Sequence, residues 1–254
     1  MATSPATPNE RMAVRAAREL RNHEVVFVGI GLPNLACNLA RRTHAPDLFM
    51  IYESGAVGTV PKRLPISIGD PALVTDSLAI VSQADIFYQF LHRGLVEVGF
   101  LGGAQIDPFG NINSTVIGSY ADPKIRLPGS GGACEIATHA KRLLVVMKMS
   151  PKSFVEKVDF ITSPGHQMRG RPRSEIPGLP GKGPEVVITQ FGVFRFESGR
   201  MVLTELFRDV SVDDVKKASG FEIQTARQLE TTADPDEGDL RLIREELDPS
   251  GLFL

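Results

Sequence analysis

From Asn9 to Arg21 the apolar residues Met12, Ala13, Ala16, Ala17 and Leu20 recur at helical spacing, and Glu24 to Ile30 is a β-branched run ending in glycines. This pattern predicts a helix feeding a buried strand. After Gly29-Ile30-Gly31-Leu32-Pro33, a helix is expected over Asn34 to Arg42 and a second buried strand over Leu48 to Tyr52, making a βαβ unit. Near-continuous apolar strands of this kind are parallel strands covered on both faces, and a right-handed crossover joins them. The alternation continues with a helix at Ala84 to His92, a strand at Val96 to Leu101, a helix at Glu135 to Ala140 and a strand at Arg142 to Met147. Short strands at Val158 to Thr162, Val186 to Thr189, Val193 to Phe196 and Met201 to Leu206, separated by glycine-rich turns, predict a more antiparallel region. Helices are expected at Asp213 to Ser219 and Asp239 to Leu247. The fold class is therefore α/β, an open mixed and mostly parallel sheet flanked by helices.

Chain length and charge narrow the picture further. The 254 residues are read as a polar, disordered tail over 1–8 and one domain over 9–254. With 28 basic and 30 acidic residues, nothing favours a nucleic-acid partner or an anionic membrane surface. The longest apolar runs, such as Leu143 to Met147, are strand-sized and far short of a bilayer span. Cys37 and Cys134 are too few for a disulfide framework, so a reducing cytoplasm is expected. The segment Gly165 to Pro184 is rich in glycine and proline, carries Arg169, Arg171, Arg173 and Lys182, and has no periodicity. It reads as a lid or a surface for another subunit, or equally as a solvated basic loop.

The chemistry-bearing residues are few. His23, His44, His92, His139 and His166 have no ligand spacing, so no metal site is expected. Gly29-Ile30-Gly31 lacks the third glycine of a dinucleotide fingerprint and reads as a tight strand-to-helix turn. Tyr52-Glu53-Ser54-Gly55 differs in kind, because a carboxylate stands at the carboxyl end of an apolar strand, where open α/β sheets place their ligands. Such an acid can also be a solvated strand end or a partner for a lysine. Gly102-Gly103-Ala104-Gln105 and Gly110-Asn111-Ile112-Asn113 supply amides and close backbone approach, as turn formers also do. Pro128-Gly129-Ser130-Gly131-Gly132-Ala133 is suited to presenting main-chain N–H groups to negative charge.

Taken in order with Ser67-Ile68-Gly69-Asp70 and Ile161-Thr162-Ser163-Pro164-Gly165, these motifs resemble the β subunits of family I CoA-transferases, in the branch that acts on glutaconate and 3-oxoadipate. The resemblance runs from about Asn9 through Pro249. It implies the fold of that family, with Glu53 as a nucleophile that takes CoA covalently, and with oxyanion or CoA-binding roles around Ser54, Gly55, Gly103, Gln105, Asn113, Gly131 and Gly132. It further implies CoA as substrate and covalent intermediate, no tightly bound cofactor, an acyl-CoA donor such as succinyl-CoA, a carboxylic-acid acceptor, and an α subunit as partner. The chemistry is coherent: a carboxylate is ionised at neutral pH and attacks a thioester without a general base. A hydrolase on the same fold is the alternative.

Overall fold

The computed structural model describes residues 4–254, and the chain forms two compact units. One holds the chain up to Phe100 and again from Ala233 to Leu254; the other is Leu101–Thr232. The sequence pattern alone reads as a single domain over 9–254.

The first unit opens with α1 (Pro8–Ala17), which starts where it does for local reasons. Thr7 caps it, accepting from the Glu10 amide while the Glu10 carboxylate accepts from the Thr7 amide, and Pro8 needs no partner in the first turn. Such a cap is worth about 1 kcal/mol. The helix ends four residues before Arg21 because the amides of Glu19 and Leu20 turn back three residues instead of four. Residues 4–7 of the expected tail are described: Arg244 donates to the Ser4 and Pro5 carbonyls and grips buried Glu10 through both nitrogens, at 2.6 and 2.9 Å. Burial alone would raise the Glu10 carboxyl, but these bonds outweigh it and hold the group below its usual value.

Next come β1 (Val25–Phe27), α2 (Leu32–Arg42), β2 (Phe49–Ile51), β3 (Ala56–Val57), β4 (Ala79–Ile80), the one-turn α3 (Gln83–Asp85) running into a π-helical turn over Ile86–Leu91, and β5 (Val98–Leu101). Their sheet order is β5-β1-β2-β3-β4, with β1 parallel to both β5 and β2, and β3 antiparallel to β2 and β4. The βαβ unit is present as expected. Gly31, at a φ of +91°, makes the tight turn into α2 that the Gly-Ile-Gly pattern indicated.

The second unit contains the hairpins β6 (Gln105–Ile106) with β7 (Ile112–Asn113) and β8 (Val116–Gly118) with β9 (Pro123–Arg126), then α4 (Ala133–His139) and β10 (Arg142–Val146). A small hairpin of β11 (Gln167–Met168) and β12 (Arg171–Pro172) precedes β13 (Pro184–Ile188), β14 (Gly192–Glu197), β15 (Arg200–Phe207), α5 (Val212–Lys217) and β16 (Gln224–Thr232). The order is β16-β15-β14-β13-β10, with antiparallel pairing at β13-β14-β15 and parallel pairing at β10-β13 and β15-β16. Back in the first unit, α6 (Glu237–Arg241) and a π-helical turn over Leu242–Leu247 follow. The α/β class with a mixed sheet and flanking helices stands.

Two local expectations need correction, and one strand, β16, was not expected at all. Val158 to Thr162 is not a strand; Asp159 and Thr162 use their side chains on the amides of Gly118 and Ser114, replacing a ladder by single bonds. The strand β16 has no apolar signature, because it lies at the edge of its sheet and most of its residues face solvent. The basic segment is not uniformly solvated. Arg173 is only 6% exposed, and its guanidinium donates to the carbonyls of Gly181, Pro164, Gly165, Ala137 and Thr138.

Candidate active site

The strand β2 carries Tyr52 into a two-residue turn. The Gly55 amide donates to the Tyr52 carbonyl at 3.0 Å and the Tyr52 amide to the Ala56 carbonyl at 2.9 Å, which closes a tight hairpin between β2 and β3 with Glu53 and Ser54 at its tip. Gly55 occupies the bulge position at a φ of +107°, which side chains disfavour. Behind the tip, the fully buried Tyr52 donates its hydroxyl to Asn34 Oδ1 at 2.6 Å, anchoring the strand end to α2. Burial, reinforced by the Cys37 thiol, pushes the Tyr52 phenol well above its ordinary value, so it stays a neutral donor.

Glu53 is half-buried and Ser54 exposed. Gln83 Nε2 donates to Glu53 Oε1 at 2.9 Å, and among the described residues no cation pairs with this carboxylate. That removes the reading of Glu53 as half of a surface ion pair. The turn is held from the side as well, since the Val81 amide donates to the Gly55 carbonyl at 3.0 Å. Gln83 then follows in the first turn of α3, whose N-cap Ser82 and Asp85 bond reciprocally. Gln83 was not singled out in the sequence, where a lone glutamine before a helix carries no signal.

The motif around Asp70 is structural. Its carboxylate accepts both Arg63 nitrogens, at 2.7 and 2.8 Å, and the amides of Ile66 and Ala72. The Arg63 bond, then those amides, hold the carboxyl far below the usual carboxylate range.

The remaining expected site residues lie in the second unit, described by itself. Asn113 Nδ2 donates to Gln105 Oε1 at 2.7 Å and to the Val116 carbonyl at 2.6 Å, and its Oδ1 accepts from the amides of Thr115 and Val116. Gln105 in turn accepts from the Asp159 amide and donates to its carboxylate. Both side chains are buried; Asn113 Nδ2 spends both of its hydrogens, so a donor role toward substrate would require breaking one of these bonds, whereas Gln105 Nε2 keeps a second N–H beyond the one given to Asp159. Gly103 is required for packing: a Cβ there would lie 2.3 Å from Ile112 Cγ2. The glycine loop is stitched to the segment after β7 by Gly129 N–H to the Ser114 carbonyl and Ser114 Oγ to the Gly129 carbonyl. Gly131, at a φ of +47°, is exposed, and a Cβ there would meet nothing within 4 Å. Gly132 is buried and starts α4.

The site thus centres on a strand-end glutamate on a braced glycine turn, with no cation on it among the described residues. The profile of the family described as Coenzyme A transferase matches residues 9–218. This chain belongs to the coenzyme A transferase family. It is 48% identical over 243 residues to the B-type subunit of the 3-oxoadipate CoA-transferase of Pseudomonas knackmussii, covering 95% of this chain and 93% of that one. To the B-type subunit of the glutaconate CoA-transferase of Acidaminococcus fermentans it is 38% identical, covering 98% and 95%. The crystal structure of the Acidaminococcus fermentans glutaconate coenzyme A-transferase superposes with a TM-score of 0.89 at 37% identity, covering 98% of this chain and 97% of that chain. A decarboxylase, AibA/AibB, shares the architecture with a TM-score of 0.83 at 27% identity, covering 97% and 96%. The family fold expected from the motifs is therefore present, and these two transferases lie nearer in sequence than this decarboxylase. Within the described residues, no helix is long and apolar enough to cross a membrane.

Proposed function

We propose that this chain is the subunit of a heteromeric CoA-transferase that carries the covalent intermediate on Glu53, moving CoA from an acyl-CoA such as succinyl-CoA to 3-oxoadipate or a glutaconate-like acid. The observation that carries this reading is the state of Glu53: half-buried, at the carboxyl end of a parallel strand, on a turn braced by Gly55 and Val81, with no cation among the described residues to hold its charge. A carboxylate so placed is available as a nucleophile. Its attack on the donor thioester carbon expels CoA thiolate and forms a mixed anhydride. The thiolate then attacks the Glu53 carbonyl carbon and expels the donor acid, leaving a glutamyl-CoA thioester. The acceptor carboxylate attacks that thioester, and the released thiolate attacks the acceptor acyl group, regenerating the Glu53 carboxylate. Every bond made is matched by one broken, and water takes no part.

An α subunit is the expected partner, in keeping with relatives named as B subunits. The first unit supports this with a run of exposed apolar side chains at Val60, Ile66, Ile68, Val74, Leu78 and Ile80, which include an exposed edge-strand residue of β4. Such a surface marks a protein contact. It is continuous with the Glu53 turn through the Leu78-to-Val57 and Val81-to-Gly55 backbone bonds.

The test is peptide-mapped mass spectrometry of the chain co-purified with its α subunit after incubation with succinyl-CoA. The expected result is a CoA adduct on the Glu53 peptide, absent in Glu53→Gln and discharged by the acceptor acid. CoA release that forms no adduct and needs no acid would instead establish a hydrolase, a change of reaction that a shared architecture permits.

A further inference from the structure

We infer that Gln83 is a catalytic residue, donating its side-chain amide to the negative charge that develops on Glu53 during CoA transfer. This rests on the reading of Glu53 as the nucleophile. Gln83 Nε2 lies 2.9 Å from Glu53 Oε1, which leaves Oε2 as the attacking oxygen. In the anhydride Oε2 becomes the bridging atom, and Oε1 becomes the carbonyl oxygen. When CoA thiolate adds to the Glu53 carbonyl carbon, the carbonyl electron pair moves onto Oε1; it returns as the C–Oε2 bond breaks and the donor acid leaves with that oxygen. The thioester keeps Oε1 as its carbonyl, and attack by the acceptor carboxylate charges the same atom again until CoA thiolate departs. One donor at one oxygen therefore serves both half-reactions.

The stabilisation is differential. In the resting carboxylate the charge is shared between two oxygens, whereas in each tetrahedral adduct it is concentrated on Oε1, so the bond strengthens where the barrier lies. A neutral amide suits the role better than a cation, which would also stabilise the resting carboxylate and blunt its attack. The Gln83 side chain is exposed, and the backbone that carries it is fixed without substrate. Ser82 and Asp85 fix the first turn of α3, and the Val81 amide ties the preceding segment to the Gly55 carbonyl, so the backbones bearing Gln83 and Glu53 are locked to each other. Among the described residues, Gln83 is the side-chain amide that touches the carboxylate.

The experiment uses the co-purified complex with succinyl-CoA, rapid quenching and mass spectrometry of the Glu53 peptide, in wild type, Gln83→Met and Gln83→Glu. Gln83→Met keeps the length of the side chain and removes the donor. It is expected to slow both formation and discharge of the adduct by about 100-fold, the scale seen for loss of one oxyanion donor, with the KM for succinyl-CoA and the melting temperature nearly unchanged. Gln83→Glu is expected to be slow at neutral pH and to recover as the pH falls and the new carboxyl gains a proton to donate. Adduct formation at the wild-type rate in Gln83→Met overturns the role of Gln83 and leaves Glu53 intact. Absence of any adduct in wild type overturns the Glu53 reading itself, and this inference with it.

Discussion

A Cβ on Gly55 would lie 2.0 Å from the carbonyl oxygen of Val81, the residue whose amide braces the Glu53 turn. Gly55 also sits at a φ of +107°, so two independent restrictions fall on one position. Gly55→Ala is expected to cost about 1–3 kcal/mol from backbone strain alone, with the overlap adding to it. The turn must then open. The checks are a thermal melt, expected to fall by several degrees, and the yield of CoA adduct on Glu53, expected to fall by more than the loss of folded protein explains.

Asp70 makes a pH prediction. Its carboxyl is held below the usual range chiefly by Arg63, so its folded value lies under its unfolded one. The stability it contributes is fully present above about pH 4, the ordinary carboxylate value, and is lost as the pH falls through the folded value. Asp70→Asn should therefore lower the melting temperature at neutral pH, and the gap from wild type should shrink on acidification below about pH 4. A gap that stays constant with pH would show that the ion pair does not set the stability of the 63–73 segment.

Arg173 supports the loop from within. Burial pulls its guanidinium down to about 10, still charged at neutral pH, and its partners are all backbone carbonyls. Arg173→Met leaves those carbonyls without donors and is expected to cost about 3 kcal/mol or more. Arg171→Met, at an exposed position, should stay within about 0.5 kcal/mol of wild type. Urea denaturation of the two variants distinguishes them.

For Asn113 the expected lesion is in folding. Asn113→Ala removes four hydrogen bonds of a buried network and should cost about 2–3 kcal/mol. The rate of Glu53 adduct formation per folded molecule should change little. A large rate loss in a fully folded variant would assign Asn113 a direct part in the chemistry.

Much of this molecule was legible along the chain. The helices and strands with one or two buried faces announce themselves through the spacing of Met12, Ala16 and Leu20 or the unbroken run at Leu143 to Val146, because burial repeats with the geometry of each element. Glu53 was marked as a candidate only by the ordered set of motifs around it, since an acid after an apolar strand and before a glycine is equally the pattern of a solvated strand end. Tertiary structure decided the rest. Gln83 meets Glu53 across 30 residues, Asn113 and Gln105 turn inward on Asp159, and Arg173 is drawn under its own loop by carbonyls from α4 and from Pro164, Gly165 and Gly181. A polar side chain has no periodicity that betrays its partner; the chain must fold back before the donor and acceptor, remote in sequence, can find each other.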